Sequence, residues 1–237
     1  MSNNVDTTKK GTVYCVGVGP GDPELMTLKA ARLIRENDLI AVPGRAPYES
    51  AAYKTAAAAV PEIAEKELVA VHMPMVRDRE KLRQAHRSAA QMIESFLDKG
   101  RDVVYLTLGD STIYCTFSYI RHILEEDGYN VQLVSGIPSF CAAAARLGVS
   151  LAERDEELHV IPGAYINDST LSHDGTYVIM KSASRMKEVR EVLRQSGMQV
   201  QAVENCGMES EKLYRSIDSI PDDAGYFSLI IAKGENK

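Results

Sequence analysis

Residues 12–30 read TVYCVGVGPGDPELMTLKA, and this stretch decides the fold. Its opening, TVYCVGV (12–18), is a short apolar run rich in β-branched side chains that ends among glycines, as expected of a parallel strand buried on both faces. Beyond the turn, Asp22 can cap a helix and Pro23 suits its first position. Leu25, Leu28, Ala31 and Leu33 supply an apolar stripe for that helix. A strand closed by a glycine turn that opens a helix is the repeating unit of an α/β sheet.

The same unit recurs downstream. Leu39–Val42 is a strand stopped by Pro43 and Gly44, followed by an Ala-rich helix over about 50–60. Glu67–Val71 is a strand, and a long amphipathic helix over about 78–99 carries Leu82, Ala85, Ala89, Met92, Ile93 and Phe96 at helical spacing before Gly100 ends it. A strongly apolar strand over 102–108 is broken by Gly109-Asp110-Ser111. A helix at about 112–126 and a strand at 131–134 follow. This alternation predicts a mostly parallel α/β sheet, which binds ligands beyond the carboxyl ends of its strands. After an Ala-rich helix over 139–147 the strands crowd together: 158–161, 176–180, 200–204, 212–216 and 226–232, with one clear helix at about 184–196. Few crossover helices imply a mixed sheet. The expected organisation is an N-terminal α/β domain, 1–134, and a C-terminal α/β domain, 135–237.

The 237 residues suffice for a real core, and 45% hydrophobic with 25% charged residues is ordinary globular composition. A net charge of -6 argues against general nucleic-acid binding. No apolar run approaches the ~20 residues that span a bilayer. The polar opening MSNNVDTTKKG lacks the apolar core of a signal peptide and reads as a frayed leader, so a cytoplasmic location is expected. Cys15, Cys115, Cys141 and Cys206 form no CxxC pair, and the histidines have no metal-ligand spacing. No disulfide framework or protein-bound metal is therefore expected. Cys15, within an apolar strand, reads as buried filler.

Gly17-Val18-Gly19-Pro20-Gly21-Asp22 invites a dinucleotide-binding reading, but Asp22 stands where G-x-G-x-x-G needs glycine. Pro20 and Pro23 have no N–H to offer a pyrophosphate, and no GK[ST] follows for a P-loop. On spacing alone the plainer reading is a tight strand–helix turn. For Asp110 the plainer reading is a cap on the next helix, and Ser139 of Gly136-Ile137-Pro138-Ser139 is an ordinary cap candidate too. Each signal is weak alone. Together the turns would line one sheet edge, where a single pocket fits.

These motifs resemble the tetrapyrrole methylases. VGVGPGDPELMTLKA (16–30) is similar to that family's opening signature nearly residue for residue. LTLGDSTIYCTFSY (106–119) resembles its second signature, with Ser111 where proline is usual. VSGIPSFCAAAARLGVSLA (134–152) resembles its third, with Ser135-Gly136 where Pro-Gly is usual. TYVIMKSASR (176–185) and VENCG (203–207) match weaker motifs, so the likeness runs from about 12 to 232. TFSY, AAAARLG and HMPM (72–75) are similar to the precorrin-2 C(20)-methyltransferases, including those acting on the cobalt-loaded ring. Pro43 stands where sirohaem-forming relatives place a catalytic aspartate, so no catalytic residue can be carried over.

The resemblance implies a homodimer of two-domain chains with S-adenosylmethionine as co-substrate in the cleft between the domains. Carried over one by one, cofactor contacts fall on Pro20, on Gly109, Asp110 and Ile113, on Pro138 and Ser139, and on Met180 and Cys206. Met180 would offer a polarizable apolar wall, although a core methionine is the plainer reading without the resemblance. The implied substrate is a precorrin-2-type ring, metal-free or cobalt-loaded, in cobalamin synthesis. Its peripheral carboxylates call for Arg and Lys. Arg45, Tyr48 and Tyr114 are the substrate-contact candidates. The denser basic stretch Arg77, Arg79, Lys81, Arg83, His86 and Arg87 reads as a solvated helix face. Competing readings are another methylase of the family, such as a uroporphyrinogen-III methyltransferase or one acting on a protein histidine derivative, a nicotinamide-dependent oxidoreductase, and a non-catalytic ligand-binding module.

Overall fold

The computed structural model describes residues 9–74, 76 and 78–234. The expected leader up to residue 8, Met75 of the HMPM motif and Arg77 of the basic stretch lie outside the described residues. The chain divides between Pro138 and Ser139 into two units, and the expected boundary after Val134 coincides with the end of a strand of the first.

The first unit alternates strand and helix: β1 (Thr12–Gly17), α1 (Leu28–Glu36), β2 (Leu39–Pro43), α2 (Ala51–Ala59), β3 (Glu67–Val71), α3 (Arg79–Leu97), β4 (Val103–Thr107), α4 (Phe117–Glu126) and β5 (Asn130–Val134). The strands lie in the order β3-β2-β4-β1-β5, and every pairing is parallel. The period of two along each strand sorts its side chains onto two faces. Val13, Cys15, Leu39, Ala41, Val103 and Tyr105 form one core with Ile93 and Leu97 of α3 and Phe117, Ile120 and Leu124 of α4. Val16, Ile40, Val42, Val104 and Leu106 form the other with residues of α1 and α2. Full burial of each such aliphatic or aromatic side chain stabilises the fold by roughly 1.5–3 kcal/mol. Cys15 is fully buried, as its apolar setting predicts. Its sulfur lies 3.9 Å from that of Cys115, with no disulfide joining them, and burial first of all pushes the Cys15 thiol well up from its ordinary value.

Two helices differ from expectation. The helix anticipated from Asp22 is broken. Asp22 caps only a 3-10 turn, Pro23–Leu25, through a 2.9 Å bond from the Glu24 amide. Thr27 then caps α1 by accepting from Ala30 N at 3.1 Å. The break resets the helical phase, so α1 buries Ala30, Leu33 and Ile34 while Leu28 is 90% exposed. Likewise the helix anticipated from Thr112 begins only at Phe117. Tyr114 has φ 48, which no right-handed helix accommodates. Asp110 is therefore not the cap of α4.

The second unit comprises α5 (Ser139–Leu147), β6 (Leu158–Pro162), β7 (Thr176–Met180), α6 (Met186–Ser196), β8 (Gln199–Glu204), β9 (Lys212–Tyr214) and β10 (Ser228–Lys233). Its sheet runs β6-β7-β10-β8-β9. Only the β6–β7 pairing is parallel, so the sheet is mixed. The last two strands are shorter than anticipated. A 3-10 turn, Ile217–Ser219, entered through a capping box at Ser216, follows β9. The Ser228 amide turns back to Gly225 O at 3.1 Å before β10 begins. Tyr177, Ile179, Met186, Val189, Leu193, Ala202 and Ile230 anchor the core beneath α6. Both β7 and β8 run antiparallel to β10. Met180 pairs with Leu229 and Glu204 with Ser228, so the ends of β7 and β8 meet at one sheet edge. Among the described residues no helix is long and apolar enough to cross a membrane.

Candidate functional site

In the first unit, the carboxyl ends of the adjacent strands β4, β1 and β5 deliver the expected turns to one edge, with their backbones in contact. Gly19 and Gly109 exchange amide bonds, 3.2 Å from Gly19 N and 2.7 Å from Gly109 N. A Cβ on Gly17 would stand 2.7 Å from both Gly109 O and Gly136 N, and one on Gly136 only 2.2 Å from Gly109 O. Any side chain at these two positions would force the turns apart. Asp110, 7% exposed, fastens them. One carboxylate oxygen accepts from Gly136 N at 2.9 Å, the other from Thr112 N at 2.8 Å and from the Thr112 hydroxyl.

This geometry decides between the cofactor readings. The Gly19 amide is spent on Gly109, and Pro20 and Pro23 have no amide N–H, so the first turn makes a poor phosphate cradle. A backbone-lined edge beside a carboxylate suits a ligand without phosphate, and a cationic one best. The buried Ser111 hydroxyl, in the position where the family motif usually has proline, has no hydrogen-bond partner among the described residues. A polar ligand group at this edge would offset the cost of that burial.

The remaining candidates of the first unit lie along the same end of the sheet. Pro20 is buried, and Ile113 and Pro138 are half-buried. Tyr114 is 39% exposed in its left-handed conformation, and burial raises its hydroxyl pKa. Tyr48 packs edge-on against Tyr53 with 5.3 Å between ring centroids. Arg45 is exposed, and its guanidinium donates to His72 Nε2 at 3.2–3.3 Å. It has no acidic partner among the described residues. The basic stretch on α3 is different. Arg83 pairs with Glu80 and Arg87 with Glu94 and Asp127, while His86 stacks on Tyr119. These partners make it the solvated face that its mixed charges predict.

In the second unit Ser139 is the first residue of α5, Met180 ends β7 half-buried, and Cys206 is buried just beyond β8. Two features of that edge escaped the sequence reading. Lys181 and Asn205, directly after the ends of β7 and β8, both take left-handed conformations, φ 55 and 53. Strain of this kind in non-glycine residues gathers at ligand sites. Two acids also surround the Cys206 turn. Glu204 accepts from the Tyr214 hydroxyl and the Gly225 amide, each at 2.8 Å. Burial raises its pKa, but Tyr214, Gly225 and Lys212 outweigh that and hold it below the usual value, while the Tyr214 hydroxyl is pushed up to about 12. Glu211 is held low chiefly by Arg146. The Asn-Cys-Gly sequence hints at a left-handed turn, whereas no local signal marks Glu211.

Comparison with known proteins shows the family. A family model described as tetrapyrrole (corrin/porphyrin) methylases matches residues 12–219. A protein of Methanocaldococcus jannaschii named "Probable cobalt-precorrin-2 C(20)-methyltransferase" is 33% identical over 93% of this chain and 95% of its own length. The cobalt-precorrin-2 C(20)-methyltransferase of Salmonella typhimurium is 28% identical over 93% of this chain and 95% of its own. Among solved structures, the uroporphyrin-III C-methyl transferase of Thermus thermophilus complexed with S-adenyl homocysteine is 22% identical and superposes with a TM-score of 0.70, covering 94% of this chain and 97% of that one. That likeness establishes a shared fold.

Proposed function

The chain belongs to the tetrapyrrole (corrin/porphyrin) methylases, S-adenosylmethionine-dependent C-methyltransferases, and from that premise we propose that it methylates the C-20 meso carbon of precorrin-2 or its cobalt complex in cobalamin synthesis. The observation that carries this is the end-to-end match, 33% over 93% of the chain, to a relative named for that reaction.

We assign cofactor contacts in the first unit to Pro20, Gly109, Asp110, Ile113 and Pro138, and in the second to Ser139, Met180 and Cys206. The chain is read as two domains that each contribute such residues. Their support is the motif resemblance together with the glycine-lined edge and the left-handed residues after β7 and β8. When bound, S-adenosylmethionine supplies a methyl group on a positively charged sulfur, already an activated leaving group. The protein's task is then to align. The Asp110 carboxylate holds two turns in register and adds negative potential where a cation is to sit. Arg45, with no acidic partner among the described residues, suits a substrate carboxylate, and Tyr48 and Tyr114 suit hydrogen bonds to the ring's periphery. A meso carbon of a reduced ring is enamine-like and needs little activation, which fits Pro43 in place of an acid. The proton lost from that carbon goes to a side chain or to water. We further propose that the protein acts as a homodimer in the cytoplasm, as the resemblance implies.

Supplying both rings anaerobically with methyl-labelled cofactor and locating the label by NMR tests the assignment. Label at C-20 is expected. Label on a pyrrole-ring carbon, or turnover only with uroporphyrinogen, would overturn it. Equal turnover of both rings leaves it standing and shows that the metal is not read.

A further inference from the structure

Glu211 belongs to none of the motifs, yet its carboxylate joins two elements of the second unit. One oxygen accepts from the Gly207 amide at 2.8 Å and the other from Nε of Arg146 at 2.8 Å. The Cys206 thiol bonds to the same carboxylate. Arg146 lies in the last turn of α5, and Cys206 and Gly207 follow β8. The Glu211 side chain is 13% exposed, so this is not the loose surface pair that contributes little.

The turn it grips needs holding. Asn205 and Gly207, on either side of Cys206, are both left-handed, φ 53 and 75. A strained non-glycine residue persists where its surroundings over-determine it. Inside the loop the remaining ties are the backbone bonds Met208 N to Asn205 O and Glu211 N to Met208 O, each 3.0 Å, Asn205 N to Phe227 O at 3.2 Å, and a long bond from the Asn205 side-chain amide to Ser210 O at 3.5 Å. None of these fixes the Cys206 and Gly207 peptides themselves, whereas the Glu211 carboxylate receives both the Cys206 thiol and the Gly207 N–H.

We propose that Glu211, anchored by Arg146, is a positioning residue that fixes the Cys206 turn in the conformation that meets S-adenosylmethionine. The inference rests on the assignment of Cys206 as a cofactor contact. Its consequence is selective. A loosened turn weakens cofactor binding but leaves the reacting carbon of the ring where it was. KM for S-adenosylmethionine rises, while KM for the ring and kcat stay near their original values.

The test compares Glu211→Ala, Glu211→Gln and Cys206→Leu with the original protein, by calorimetric titration with S-adenosylhomocysteine and by steady-state kinetics on the ring. Loss of a charge-assisted clamp is expected to weaken binding about 10- to 100-fold in Glu211→Ala. Glu211→Gln keeps an acceptor for the Gly207 N–H and should recover part of it. If Cys206→Leu weakens binding while both Glu211 variants bind normally, the positioning role is wrong and the cofactor assignment survives. If Cys206→Leu binds normally, the assignment fails and takes the inference with it. Should Glu211→Ala not fold, the Gln variant decides. A raised KM for S-adenosylmethionine at unchanged kcat supports the role, and a lowered melting temperature with unchanged KM overturns it.

Discussion

Asp110 carries the largest share of the first unit's edge for one side chain. Its carboxylate takes the Gly136 and Thr112 amides and the Thr112 hydroxyl, and so ties the β4 turn to the β5 turn. Both oxygens are engaged by the protein, so its contribution to ligand binding is as much the shape of the edge as any direct contact. Asp110→Ala leaves the buried Gly136 N–H without an acceptor, which costs roughly 1–3 kcal/mol. Urea unfolding should register that loss, and titration with S-adenosylhomocysteine should show weakened binding in variant that remains folded. Normal stability would mean that the bond to Gly136 contributes nothing, and unchanged binding would confine Asp110 to scaffolding.

Among the elements, β8 joins packing to titration. Glu204 at its end holds β9 through Tyr214 and the approach to β10 through Gly225. A Cβ on Gly225 would come within 2.7 Å of the Glu204 carboxylate, so the loop is fitted closely around the charge. The folded pKa of Glu204 lies below its usual value. Its stabilisation is therefore complete above the ordinary carboxylate range, around pH 4–5, and is lost as pH falls through the depressed folded value. Urea midpoints followed by circular dichroism should drop more steeply below about pH 4.5 in the original protein than in Glu204→Gln. Parallel curves would remove Glu204 from the acid sensitivity of the fold.

The whole molecule consists of two units with separate apolar cores, two layers of core around the first sheet and one beneath α6 in the second. Several large apolar side chains remain on the surface, Tyr165 at 77%, Tyr226 at 52% and Phe227 at 41% exposure. Single exposed aromatics are common, but Tyr226 and Phe227 are adjacent, with their rings in edge contact at 5.3 Å, and so make a small apolar patch on which the proposed homodimer can be tested. Sedimentation equilibrium should return twice the chain mass, and Phe227→Lys should shift it toward the single chain. A monomer in the original protein would remove the dimer from the proposal.

Much of this was legible in the linear order of residues. The alternating strands and helices, the parallel sheet and the mixed sheet follow from hydrophobic period and glycine punctuation, because both are local. β3, α5 and β7 fall where their patterns place them. The family was legible because its glycine and proline spacings are rigid backbone requirements. The three-dimensional structure showed where helices do not start. Thr27 reset the phase of α1, and left-handed Tyr114 delayed α4. It also turned Asp110 from a helix cap into a bridge, since its acceptor role depends on Gly136, a residue distant in sequence. Glu211 was invisible because its anchor, Arg146, is 65 residues away on α5. Which side chain a fold brings to a carboxylate is set by how its elements pack, and no local pattern encodes that meeting.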